Sequence, residues 1–130
     1  MGLQITHLGS GSRGNSTLLE SDSCKVLIDC GFSLKQTEKR LSIIKIEPSS
    51  IDAIFITHHH GDHSKSALKA SQKWGSNLYC NIETAIKMGW NPMSDCRTFG
   101  NLERIDINNE ISVLPIPIPH DDAENIALIV

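Results

Sequence analysis

At 130 residues, with 39% apolar and 21% charged residues, the chain is long enough to bury one core and has an ordinary globular composition. Its formal net charge of −3 provides no global positive field. That argues against a duplex-binding module, but not against a nuclease whose metal would bring local positive charge to a phosphate. The cysteines at 24, 30, 80 and 96 form neither a C-x-x-C pair nor a dense framework, no leader precedes the first strand, and no apolar run reaches membrane-spanning length. A cytoplasmic protein with reduced thiols and no membrane association is therefore expected. Met1-Gly2-x-x-x-Thr6 matches the permissive myristoylation pattern, but Leu3 and Ile5 already serve a strand, so no lipid anchor is expected.

Leu3 to Leu8 alternates apolar and polar residues, the pattern of a half-buried strand. The glycine-serine stretch Gly9 to Asn15 follows. No Lys-Ser/Thr pair or helix start comes after it, which excludes a P-loop and leaves a turn between strands. Ser16 to Glu20 and Lys25 to Asp29 read as a hairpin around Ser21-Asp22-Ser23. Ser33-x-x-Gln36 offers a capping box for a helix to about Ile44, with Leu34, Leu41 and Ile44 on its buried face. Glu47-Pro48-Ser49-Ser50 then leads into the apolar strand Ile51 to Ile56.

Beyond that strand, Ser64 is expected to cap a helix through Trp74, with Gly75 at its C-terminal stop. Leu78-Tyr79-Cys80 reads as a short strand, and Asn81 as the cap of a brief helix ending near Met88-Gly89. Residues 90 to 102 read as irregular. Arg104 to Ile107 and Glu110 to Ile118 form a hairpin around Asn108-Asn109. Pro115, Pro117 and Pro119 should make its second strand an edge, or end it irregularly. Asn125 to Val130 reads as a further apolar strand.

The chemistry concentrates in Thr57-His58-His59-His60-Gly61-Asp62-His63, directly after a buried strand. Neutral imidazoles and ionised carboxylates are metal ligands, and this loop supplies both. Alternation in an extended segment puts His58 and His60 on one side, able to grip one ion. Past the turn at Gly61, Asp62 and His63 point at a neighbouring position. An internal run broken by Gly61-Asp62 is not an affinity tag.

Thr57-His58-x-His60-x-Asp62-His63 resembles the signature loop of the metallo-β-lactamase superfamily. Val26-Leu27-Ile28-Asp29-Cys30-Gly31 is similar to its early strand ending in aspartate and glycine. Pro117 to Glu124 resembles the segment that delivers a third histidine, and the opening Gly9 to Ser16 points to the YycJ-like branch of small bacterial hydrolases. The resemblance implies an α/β fold, half of an αββα sandwich, with a mixed sheet and helices on one face. It implies that His58, His60 and His120 hold one metal ion, leaving a position for water. An ion so held lowers the pKa of water towards about 7. Asp62 and His63 would face a second ion, and Asp62 would also orient the nucleophilic water as the catalytic residue. Asp29 would support the ligands from behind, accepting a spare imidazole N–H. His7 and His59 match no ligand position and are read as structural, and Cys30 as a small buried thiol.

The family draws a bridging aspartate and a last histidine from its second half, and neither is recognisable before Val130. Residues 1–130 are therefore expected to be one metallo-β-lactamase-like domain truncated before its C-terminal half, binding one ion at most where a complete domain holds up to two. Zinc is the expected ion, with manganese or iron equally compatible with these ligands. The apolar run Ile126 to Val130 suggests a sheet face through which the chain self-associates. The implied function is a metal-dependent phosphodiesterase or nuclease. A thioester or lactam hydrolase is the alternative, and a half-domain without turnover is the non-enzymatic one.

Overall fold

β-Branched and aliphatic runs assemble into a six-stranded sheet in the computed structural model, which describes residues 2–9, 14–57, 64, 66–118 and 125–129. Its strands are β1 (Gln4–Gly9), β2 (Ser16–Glu20), β3 (Lys25–Ile28), β4 (Ala53–Phe55), β5 (Asn77–Asn81) and β6 (Arg97–Phe99), in that spatial order. β1–β2 and β2–β3 pair antiparallel, whereas β3–β4, β4–β5 and β5–β6 pair parallel. The carboxyl ends of β1, β3, β4, β5 and β6 therefore share one edge of the sheet. Helices α1 (Leu34–Ile43), α2 (Ala67–Trp74) and α3 (Ile82–Met88) are the crossovers that parallel neighbours require. A second, three-stranded sheet follows, with β7 (Ile105–Ile107), β8 (Ile111–Ile118) and β9 (Asn125–Ile129) in the order β7-β8-β9.

Two-residue alternation divides the large sheet's side chains between two cores. Leu18, Leu27, Ile54 and Leu78 face the helices, against Leu41, Ala70 and Trp74. Leu19, Val26, Ala53 and Phe55 face the small sheet, against Ile107, Ile111 and Val113. Phe55 is fully buried there. Its ring stacks on Tyr79 at 4.6 Å between centroids and tilts against Phe99 at 6.2 Å. The result is helices, sheet and sheet in three layers, the expected half-sandwich with helices on one face.

Several local expectations hold for their expected reasons. Ser33 caps α1, its hydroxyl accepting from Gln36 N at 3.2 Å, and Asn81 caps α3 by accepting from Thr84 N at 2.8 Å. Gly75 and Gly89 close α2 and α3 with φ of 75° and 73°. Asn108 and Asn109, both at positive φ, make the tight β7–β8 turn.

Three expectations are corrected. Ile44 is 36% exposed, because the chain leaves the helix at Ile44–Lys45 and Thr37 joins Leu41 on the buried face instead. The N-cap of α2 is Ser66, while Ser64 is buried with its hydroxyl 3.5 Å from Met88 Sδ. The stretch read as irregular contains β6, which exists because Arg97, Thr98 and Phe99 pair with β5. The edge expected for β8 is present locally: β8 lies between β7 and β9, but its proline-bearing half has β9 as its one strand neighbour among the described residues. β7 pairs only with Ile111–Val113 and β9 only with Leu114–Ile118, so each half of β8 has one strand neighbour. Pro115 turns its carbonyl to Leu102 N at 2.8 Å, away from β9, so its missing N–H removes no bond from that ladder.

The two turns at the opposite, amino-terminal edge are latched by Glu110. Its carboxylate accepts from the hydroxyls of Ser21 and Ser23 and, at 3.0 Å, from Ser23 N. These bonds favour the ionised form and hold the carboxyl down at about 2, from an ordinary 4.5. A depressed carboxylate pKa contributes stability above pH 4.5 that is lost as pH falls through about 2. Thermal melts over that interval should therefore show the wild type losing more melting temperature than Glu110→Gln; parallel losses would show that the latch adds nothing.

Candidate metal centre

Asp29 ends β3 in the left-handed region, with φ 66°, a conformation that aspartate tolerates better than most residues. Its backbone N–H donates to the Phe55 carbonyl at 2.7 Å, which fixes it beside the end of β4. The side chain is only 7% exposed. A buried carboxylate is costly unless hydrogen-bonded, and Thr57 satisfies it. Thr57 N donates to Oδ1 at 2.8 Å, and the Thr57 hydroxyl lies 2.9 and 2.8 Å from the two carboxylate oxygens. Thr57 is the last residue before His58, so Asp29 fixes the upstream end of the histidine loop.

The downstream end is held by the same stretch of chain. Ser66 N donates to the Cys30 carbonyl at 3.3 Å, and Ser66 Oγ donates to the Phe32 carbonyl at 2.6 Å. Cys30 Sγ lies 3.3 Å from Ser66 Oγ, and burial raises the pKa of the Cys30 thiol, which suits a packed thiol rather than a nucleophile. Residues 29–32 thus grip the chain on both sides of the loop. They are themselves pinned to β2, with Ser16 Oγ donating to the Asp29 carbonyl at 2.9 Å and Gly31 N to the Asn15 carbonyl at 3.1 Å.

The glycine-serine stretch joins this assembly through Phe32. Gly9 and Gly14 both lie against its ring, and a Cβ on Gly14 would come within 2.6 Å of it. The Arg40 guanidinium covers the ring at 4.1 Å, while its Nη1 donates to the Leu8 carbonyl at 2.6 Å. Glycine at these two positions is what lets the ends of the stretch approach Phe32.

β8 supplies the last element. It starts directly after Glu110, latched to the amino-terminal edge, and passes Leu102, three residues beyond the end of β6. It therefore runs toward the carboxyl edge from which the histidine loop emerges, the side of a parallel sheet where ligands bind. Residue 120 follows two positions after its end.

Of the residues singled out from sequence, Asp29 is described: its carboxylate meets the amide and hydroxyl of Thr57, while the imidazoles it was expected to support lie outside the described residues. His58, His60, Asp62, His63 and His120 lie outside the described residues, as does His59. His7 is exposed, its Nδ1 3.1 Å from Thr17 Oγ1, in keeping with a structural role. All four cysteines are free and buried. Thr57, Ser66 and Phe32 were not anticipated. A threonine closing an apolar strand immediately before a histidine cluster was the one signal available.

The model of the metallo-beta-lactamase superfamily matches residues 9–128, and the chain belongs to that superfamily. Within it, the chain is 36% identical over 103 residues to the exodeoxyribonuclease WalJ of Streptococcus pneumoniae, covering 79% of this chain and 36% of that protein. It is 30% identical over 141 residues to the exodeoxyribonuclease YycJ of Bacillus anthracis, covering 95% of this chain and 48% of that one. The chain thus spans between about a third and a half of the length of these relatives. Among solved structures, the Rm3 metallo-beta-lactamase superposes with a TM-score of 0.80 at 14% identity, over 95% of this chain and 52% of that one. The metallo-beta-lactamase fold protein YhfI of Bacillus subtilis does so with 0.74 at 16%, over 97% and 57%. These likenesses concern the fold.

A hydrogen bond to a charged group contributes about 1.5–3 kcal/mol. Thr57→Val keeps the shape and the backbone N–H but removes the hydroxyl, and urea denaturation should register a loss of about that size. Asp29→Ala should lose more, because it strips the acceptor from both Thr57 donors. A Thr57→Val variant as stable as wild type would remove this bond from the account of the site.

Proposed function

We propose that this chain carries the first metal site of a metal-dependent hydrolase that cleaves phosphodiester bonds in nucleic acid. The observation that supports this best is the shared sheet edge. Both tethers of residues 58–63 and the heading of β8 converge there, in a chain 36% identical to an exodeoxyribonuclease over 103 residues. His58, His60 and His120 are the proposed ligands of the first ion, Asp62 and His63 those of the second. Imidazole and carboxylate donors of this kind fit zinc, the superfamily's usual ion, and also manganese or iron. When bound, such an ion supplies Lewis acidity and lowers the pKa of water to about 7.

The chain's own groups do the rest. Asp62 orients the attacking water toward phosphorus. Asp29, through Thr57, keeps His58 and His60 in register with the sheet edge. The glycine-serine stretch, held at both ends by Phe32, lines the approach for substrate. Two donors are too few to hold a second ion firmly, so one ion per chain is expected here. Residues 1–130 act in this reading as one metallo-β-lactamase-like unit with part of the ligand set. No helix among the described residues is long and apolar enough to cross a membrane, and we place the protein in the cytoplasm.

Turnover of bis-p-nitrophenyl phosphate and single-stranded DNA by the zinc-loaded chain, compared with a glutathione thioester and a cephalosporin, tests the substrate class. We expect cleavage of the phosphodiesters and its fall to background in His58→Ala. Turnover of the cephalosporin or thioester alone would favour the acyl-substrate alternative. Zinc binding without any turnover would favour a non-catalytic half-domain.

We also propose self-association through the outer face of the small sheet, where Leu114 and Ile116 are half-buried. Light scattering should report a dimer or larger species; a stable, soluble monomer would rule this out.

A further inference from the structure

A serine at a helix N-cap ordinarily turns its oxygen inward to accept from the backbone N–H two or three residues on. Ser66 caps α2 without any such side-chain bond. Its hydroxyl instead donates outward, to the Phe32 carbonyl at 2.6 Å, and lies 3.3 Å from Cys30 Sγ. The residue is 4% exposed, so the choice is imposed by packing and not by solvent. Its backbone N–H reaches the Cys30 carbonyl as well, at 3.3 Å. Two donors of one residue therefore close on residues 30 and 32, while Thr57 closes on Asp29 from the other side of the histidine loop.

We propose that Ser66 is a positioning residue for metal binding, holding the downstream end of the histidine loop as Asp29 holds the upstream end. This rests on the metal-site reading above. Two fixed ends within a four-residue span leave the intervening ligands few arrangements to search. Freeing one end restores that search and weakens the grip on the ion. The upstream tether sets His58 and His60, and the downstream tether sets Asp62 and His63, which lie on its side of Gly61.

The test is the zinc affinity of the full chain, measured by competition with a chromophoric chelator, alongside the melting temperature of the metal-free protein. Ser66→Ala should lower zinc affinity about 10–100-fold, the usual effect of losing a group that orients metal ligands. Ser76→Ala is the matched control. Ser76 is also buried, and its hydroxyl donates to the Ile51 carbonyl at 2.6 Å, but at the amino-terminal edge of the sheet. It should lower the metal-free melting temperature comparably and leave zinc affinity within about twofold, because it orients no ligand. Ser66→Cys, with a weaker donor in nearly the same shape, should fall between wild type and Ser66→Ala, and it serves if the alanine variant does not fold. Equal zinc affinity in wild type and the Ser66 variants, or an equal loss in Ser76→Ala, overturns the proposal while the metal site stands. Absence of zinc binding by the wild type overturns both.

Discussion

The buried carboxylate of Asp29 is the constraint on which the carboxyl edge of the sheet depends. A charge this deep is destabilising by several kcal/mol unless donors meet it, and its left-handed backbone adds about 1–2 kcal/mol of strain. Both are tolerated because the conformation does two things at once. It turns the chain out of β3 so that the Cys30 and Phe32 carbonyls meet Ser66, and it aims the carboxylate at the amide and hydroxyl of Thr57. The bonds that neutralise the cost are the same bonds that fix the start of the histidine loop. Stability and site geometry therefore share one set of atoms.

The topology explains why the stretches that flank the candidate site gather at this edge and not at the opposite one. Parallel pairing of β3, β4 and β5 places every strand-to-helix loop of that series at one edge, and β1 joins them because two antiparallel pairings restore its direction. Gly9 and Gly14 at the ends of the glycine-serine stretch, the Asp29 turn and Thr57 thus share one edge although they are dispersed in sequence. The amino-terminal edge carries the helix-to-strand connections and two tight turns, which Glu110 ties together through Ser21 and Ser23. That latch sets where β8 begins, and so the direction in which it carries the chain toward residue 120.

What the sequence made legible was whatever depends on neighbours along the chain. The Ser33 and Asn81 caps, the left-handed glycines and the Asn108-Asn109 turn follow from local chemistry, and all are present. Strand β6 was not legible, since three residues with no alternating pattern become a strand only by pairing with β5. The prolines of β8 signalled an open side to that half of the strand, but which side was open depended on the register with β9. At the site, Asp29 was visible as an aspartate closing an apolar strand. Its bond to Thr57, and the diversion of Ser66 from capping α2, depend on contacts 28 and 34 residues apart that no periodicity encodes.

The two cores give metal binding a structural consequence. The histidine loop hangs from β4, whose residues Ile54 and Phe55 belong to the helix-side and sheet-side cores respectively. Residue 120 follows β8, which is packed only in the sheet-side core through Ile111 and Val113. In the proposed ligand set, an ion taking imidazoles from both would cross-link the large sheet to the small one at the edge farthest from the Glu110 latch. The layers would then be fixed at both ends, by a carboxylate at one and by coordination at the other. A ligand that binds only the assembled arrangement stabilises it by mass action. Such an ion would be as much a fastener between sheets as a reagent, and the tethers at Thr57 and Ser66 are what would allow its binding energy to reach the backbone.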